Sequence, residues 1–175
     1  MIEIKQGADL LLLRYNDYKK YDFIEEHQKI IDEHGFTWIY KIGRSITKRK
    51  LKKVMNESGQ LLLRSPKTKG GKIYISPILD YAYGMPKNDY VFPEYYQELV
   101  ADDREWRMQS LEGSWLKIGT IEEVPIEESK KIRLISNGKP VLEVLDATMS
   151  SMLYVRYFNT SYNGKEEQLD EDSVL

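Results

Sequence analysis

The sequence predicts a mixed α/β (α+β) fold, a small curved or barrel-like mixed sheet flanked by helices. Three observations carry that reading. Short apolar strand-like runs alternate with two amphipathic helical patterns, a hairpin signal follows the second helix, and strict strand–helix–strand units are too few for a doubly wound sheet. The 175 residues, 41% of them hydrophobic, suffice for a core without cross-links, and the chain has no cysteine. Residues 1–159 read as one globular domain. Residues 160–175, polar and acidic through Glu166, Glu167, Asp170, Glu171 and Asp172, read as a disordered tail.

Each element has its own reason. ADLLLLRY (8–15) is the short apolar run of a buried strand, and Asn16 and Asp17 then turn the chain. From Tyr21 to His34, Phe23, Ile24, Ile30 and Ile31 recur at near-helical spacing. Asp22 suits the N-cap and Gly35 the left-handed stop. FTWIYKIG (36–43) is rich in strand formers. A second helix starts near Ser45 or Thr47 and runs to Asn56, with Ile46, Leu51, Val54 and Met55 inward and lysines outward. LLLR and KIYISPI are hairpin arms turned by SPKTKGG. From Asp80 to Ser114, aromatic residues among Gly, Pro and Asp show weak periodicity, which predicts a long ordered loop with one short helix near FPEYYQELV. WLKIGTIEEVPI and SKKIRLIS return to strand pattern, Pro140 opens a short helix over VLEVLDATM, and MLYVRYF alternates as a last strand.

Charge is divided along the chain. Between 41 and 72 lie eleven bases and one acid, Glu57, a charge of +10; the remainder holds 15 bases and 27 acids, or -12. A solvated helix face would interleave Glu with Lys at i,i+4, whereas ITKRKLKKVM sets like charges together. That layout attracts a polyanion. We expect Lys41, Arg44, Lys48, Arg49, Lys52, Arg64, Lys67, Lys69 and Lys72 to hold phosphates.

Catalytic and metal patterns are few. Without cysteine there is no disulfide framework, cysteine-based zinc or iron–sulfur site, or thiol nucleophile. GxGxxG, a Walker lysine loop, HExxH, GxSxG and an EF-hand loop are all missing from the sequence. His27 and His34 are two turns apart with no third ligand nearby, and are expected as exposed polar residues of a helix face. Glu3-Ile4-Lys5 has a nuclease-like spacing but no preceding acid on a strand. We therefore expect no catalytic residue, no metal and no cofactor. The first fifteen residues carry Glu3 and Asp9 around a four-leucine run, which predicts neither signal peptide nor membrane span, and a cytoplasmic location.

Aromatic residues lie beside the bases. Alternation puts Trp38 and Tyr40 on one face of their strand and Ile39 and Lys41 on the other. Stacking of a nucleobase on such a ring is worth roughly 1 to 3 kcal/mol, although a strand tryptophan equally serves a core.

LLLLRYND, a hydrophobic strand ending in a base and Asn, resembles the first strand of YTH domains. WLKIGTIEEVPIEESKKIRLISNGKPVLEVLDA is similar to their run of strand, Pro-containing turn, Asn-x-Lys-Pro-Val and a following acid. Together these segments resemble the PUA-like superfamily that includes the YTH and EVE modules. The resemblance implies a reader fold with an aromatic pocket for a modified base and a basic rim. It would place Arg14 and Asn16 at the pocket mouth, Trp38 in the cage, and Asp146 after Lys139-Pro140-Val141. Tyr15 and Leu145 depart from the family pattern, which has a small polar residue and an arginine there.

The expected function is a non-enzymatic DNA- or RNA-binding module that captures a modified or flipped base. Trp38 would stack, with Tyr40 as a further base-binding residue, Asn16 and Asp146 would bind the base edge, and Arg14, at the pocket mouth, would join the bases that hold phosphates. The alternatives are a protein-interaction or inhibitor module in microbe–phage conflict, using the Tyr-rich stretch 81–106, and a binder of a small nucleotide signal.

Overall fold

The computed structural model describes residues 1–102 and 110–159, so the expected tail and Trp106 lie outside the described residues. In chain order the elements are β1 (Leu10–Arg14), α1 (Phe23–His34), β2 (Thr37–Tyr40), α2 (Lys48–Glu57), β3 (Gln60–Arg64), β4 (Ile73–Gly84), α3 (Tyr95–Ala101), β5 (Gly113–Ile118), β6 (Glu122–Glu123), α4 (Ile126–Ser129), β7 (Ile132–Leu134), α5 (Val141–Leu145) and β8 (Met152–Tyr157). A 3₁₀ turn, Lys67–Lys69, sits between β3 and β4. The strands form a mixed sheet in the order β2-β5-β4-β3-β1-β8-β7, with β6 also on β4. Among the described residues this order has two ends, and the sheet is not closed into the barrel expected from the sequence.

The residues divide into two compact units. The first comprises Met1–Tyr15, Lys52–Ile75 and the chain from Glu122; the second comprises Asn16–Leu51 and Ser76–Ile121. In the first, β1 pairs in parallel with β3 and antiparallel with β8. A strand in that position is covered on both faces, which is why LLLL is continuous rather than alternating. Leu10, Leu12 and Leu62 join Ile73, Ile75, Val124, Ile132, Val141, Leu145 and Val155 in one core cluster. Each such fully buried side chain contributes about 2 kcal/mol. Leu11, Leu61 and Leu63 are no less buried on the opposite face. At the start of β1, Asp9 receives Arg156 Nε at 2.8 Å and Lys53 Nζ at 3.0 Å, while Ser58 Oγ donates to its carbonyl.

In the second unit, Asp22 accepts from the Glu25 amide at 2.8 Å and Gly35 ends α1 at φ 85°, as its sequence predicts. Phe23, His27 and Ile31 form the buried stripe of α1. β5 pairs antiparallel with β2 and with β4. Here two expectations are corrected. Residues 80–84 belong to strand β4, not to a loop: a register shift between Ile78 and Asp80 breaks the alternation, and Tyr81 to Gly84 then pair with β5. His27 is fully buried, not exposed. Its Nδ1 donates to the Phe23 carbonyl at 2.7 Å, which leaves Nε2 to accept from Tyr96 Oη at 2.5 Å. Burial lowers its pKa to about 4, against the hydrogen bond to Phe23.

α2 has the expected faces. Leu51 and Val54 are buried, and Lys48, Arg49, Lys50, Lys52 and Lys53 are exposed. No helix among the described residues is long and apolar enough to cross a membrane.

Candidate functional site

The parallel register of β1 and β3 sets Arg14 directly opposite Arg64. Adjacent strands lie about 4.8 Å apart, so two guanidinium groups start from neighbouring backbone positions at the carboxyl ends of parallel strands. By alternation both continue the face of Leu12 and Leu62. The helix α5 packs its Val141 and Leu145 into the same cluster, and Asp146 caps it. Residues from three distant stretches of the sequence are thereby gathered. Arg64 Nη2 is 3.8 Å from Asp146 Oδ1, and Lys67 Nζ is 3.4 Å from the same oxygen. Arg14 Nη1 donates to the Thr148 carbonyl at 2.6 Å.

Arg64 is the centre of this cluster. Its side chain is 11% exposed, and Nε and Nη1 are buried with no hydrogen-bond partner. Burial lowers its pKa and Arg14 adds to that, while the Asp146 carboxylate opposes it. The guanidinium remains charged at any physiological pH. Gly71, at φ 57°, makes room for it: a Cβ there would lie 2.3 Å from Nη2 and 3.0 Å from Nε. The turn that carries Gly71 is closed by Ser65, whose amide donates to the Lys72 carbonyl and whose hydroxyl accepts from the Lys72 amide. Like charges opposed across a ladder are destabilising, and unpaired buried donors cost about 1 to 3 kcal/mol each.

The remaining expected phosphate residues fall in two groups. Lys67, Lys69 and Lys72 are exposed on the β3–β4 turn, with Lys72 Nζ 3.4 Å from Glu123, and Lys52 is exposed on α2. Arg44, Lys48 and Arg49 are exposed in the second unit, with Lys48 Nζ 5.3 Å from the Tyr83 ring centre. Lys41 differs from them: it is 6% exposed, its ammonium donates to the Ile42 carbonyl at 2.7 Å, and burial lowers its pKa. It stands outside the exposed basic surface.

Trp38 is 6% exposed, with Tyr90 stacked on it at 3.8 Å and 7°. Tyr40 tilts against Trp115 at 5.1 Å and donates its hydroxyl to the Glu112 carbonyl. Asn16 is exposed. Tyr95 and Tyr96 are core residues, so the 81–106 stretch does not offer them as a contact surface. Gly71, Thr148 and Tyr90 are the participants that sequence reasoning missed. The Gly70-Gly71 pair signals a turn but not its tenant, and neither a backbone acceptor nor a covering tyrosine leaves a motif.

Among the described residues no group of three or more His, Asp or Glu could hold a metal ion. Comparison with protein-family models, with curated proteins and with solved structures finds no match.

Proposed function

We propose that this chain is a nucleic-acid binding module, not a catalyst, with Arg14 and Arg64 as its phosphate anchor. One observation carries the reading: two arginines stand opposed on neighbouring parallel strands, the carboxylate beside Arg64 is no closer than 3.8 Å, and Arg64 keeps two buried nitrogens without a hydrogen-bond partner. Lys67 extends the anchor, and the exposed bases of α2 supply longer-range attraction. Base capture on Trp38 belongs to the same proposal. The Tyr90 stack supports it, because the indole already accepts a flat ring at stacking distance; a captured base would take the place of Tyr90. A PUA-like fold is part of this proposal.

The test is fluorescence anisotropy with short single-stranded and duplex oligonucleotides at two salt concentrations. Two to three phosphate contacts on a single strand give a log–log salt slope of roughly -1.5 to -2. Absence of binding at low salt defeats the proposal.

A further inference from the structure

We propose that the Arg14–Arg64–Lys67 cluster recognises a terminal phosphate, a phosphomonoester, in preference to an internal phosphodiester, and that Asp146 occupies the phosphate position until the ligand arrives. This rests on the nucleic-acid reading above. Charge is the first argument. Arg64 and Lys67 meet one carboxylate and Arg14 stands opposite Arg64, so that once Asp146 gives way three positive charges face the ligand, and a phosphodiester, at -1, balances them only in part. A phosphomonoester carries about -1.5 to -2 at neutral pH and three acceptor oxygens.

Geometry is the second argument. Asp146 Oδ1 lies 3.8 Å from Arg64 Nη2 and 3.4 Å from Lys67 Nζ, both longer than the roughly 2.7–2.9 Å of a tight charge-assisted hydrogen bond. One carboxylate thus spans two cations without seating closely on either. Asp146 is also 55% exposed at the end of a five-residue helix, so it can swing into solvent at little cost. Arg64 cannot, being held over Gly71 and largely buried. The fixed donor and the movable acceptor make a site where an incoming dianion displaces an internal anion.

The experiment compares one oligonucleotide bearing a 5′-phosphate with the same strand bearing a 5′-hydroxyl, by anisotropy on the full chain, with a nucleoside 5′-monophosphate as competitor. The phosphorylated strand should bind roughly tenfold tighter or more, the scale of one charge-assisted hydrogen bond. Arg64→Gln should erase the difference, Asp146→Asn should widen it, and the monophosphate should displace the phosphorylated strand. Lys67→Ala, at an exposed position, should narrow the difference without a risk to folding. Equal binding of the two strands overturns the terminal-phosphate inference and leaves nucleic-acid binding standing, whereas failure of both to bind at low salt overturns both. A preference that survives Arg64→Gln and Lys67→Ala, or weakens in Asp146→Asn, also overturns it.

Discussion

Replacing Gly71 with alanine tests the placement of Arg64 by one methyl group. The new Cβ would lie 2.3 Å from Nη2, 3.0 Å from Nε and 3.1 Å from Cζ. Relieving the closest contact requires the guanidinium to retreat by about 1 Å, which is enough to break a hydrogen bond whose useful range is a few tenths of an ångström. Losing one charge-assisted bond to phosphate costs about 1.5 to 3 kcal/mol, or roughly 10- to 150-fold in affinity. Alanine at φ 57° adds about 1 kcal/mol of backbone strain, a modest loss of stability. Gly70→Ala is the control. Gly70 sits at φ 91°, and a Cβ there comes no closer than 3.7 Å to the Lys72 side chain, so it carries backbone strain without touching Arg64. Anisotropy with a 5′-phosphorylated strand, read beside thermal unfolding of each variant, separates binding from folding. Unchanged affinity in Gly71→Ala, or equal losses in both variants, would refute the reasoning.

Three further outcomes follow from the same geometry. Asp9→Ala removes the buried carboxylate that Arg156 Nε meets at 2.8 Å and Lys53 Nζ at 3.0 Å, and should lower unfolding stability by about 3 to 5 kcal/mol; a change below 1 kcal/mol in urea titration would contradict the pairing. His27 has a folded pKa of about 4 against 6.5 unfolded, so the unfolded chain takes up the proton first. Stability is full above pH 6.5 and falls as the pH drops towards 4, by about 2 kcal/mol between pH 7 and 5, and a His27→Gln chain should lack that limb. Tyr90→Ala removes a stack worth about 1 kcal/mol and frees one face of Trp38; oligonucleotide quenching of tryptophan fluorescence should rise, and an unaltered signal would exclude Trp38 as a base platform.

The legible parts of the sequence were those set by local chemistry. Asp22 and Gly35 bracket α1 because capping and left-handed φ depend on neighbours within four residues. The four leucines of β1 imply burial on both faces, yet they do not say which strand lies alongside. That partner, β3, begins fifty residues later, and only its register turns two unrelated arginines into a pair. Asp146 and Arg14 entered through the family resemblance, and Arg64 and Lys67 through charge. Their meeting is a tertiary fact. Two misreadings have the same origin. His27 looks like a surface histidine until Tyr96, 69 residues away, meets its ring, and the bulge near Leu79 hides the second half of β4 by shifting its period. The four-residue helix α4 has too few positions to show any period.

The central claim is that Arg64 itself grips phosphate, and the most direct measurement is the ¹H–¹⁵N NMR signal of its Nε–H, assigned by its loss in Arg64→Lys. On titration with a 5′-phosphorylated oligonucleotide that signal should shift, because the guanidinium to which the buried Nε belongs gains a new anion at Nη2, while the 5′-hydroxyl strand leaves it nearly in place. An Arg64 signal that stays put at saturating phosphorylated strand would contradict the account.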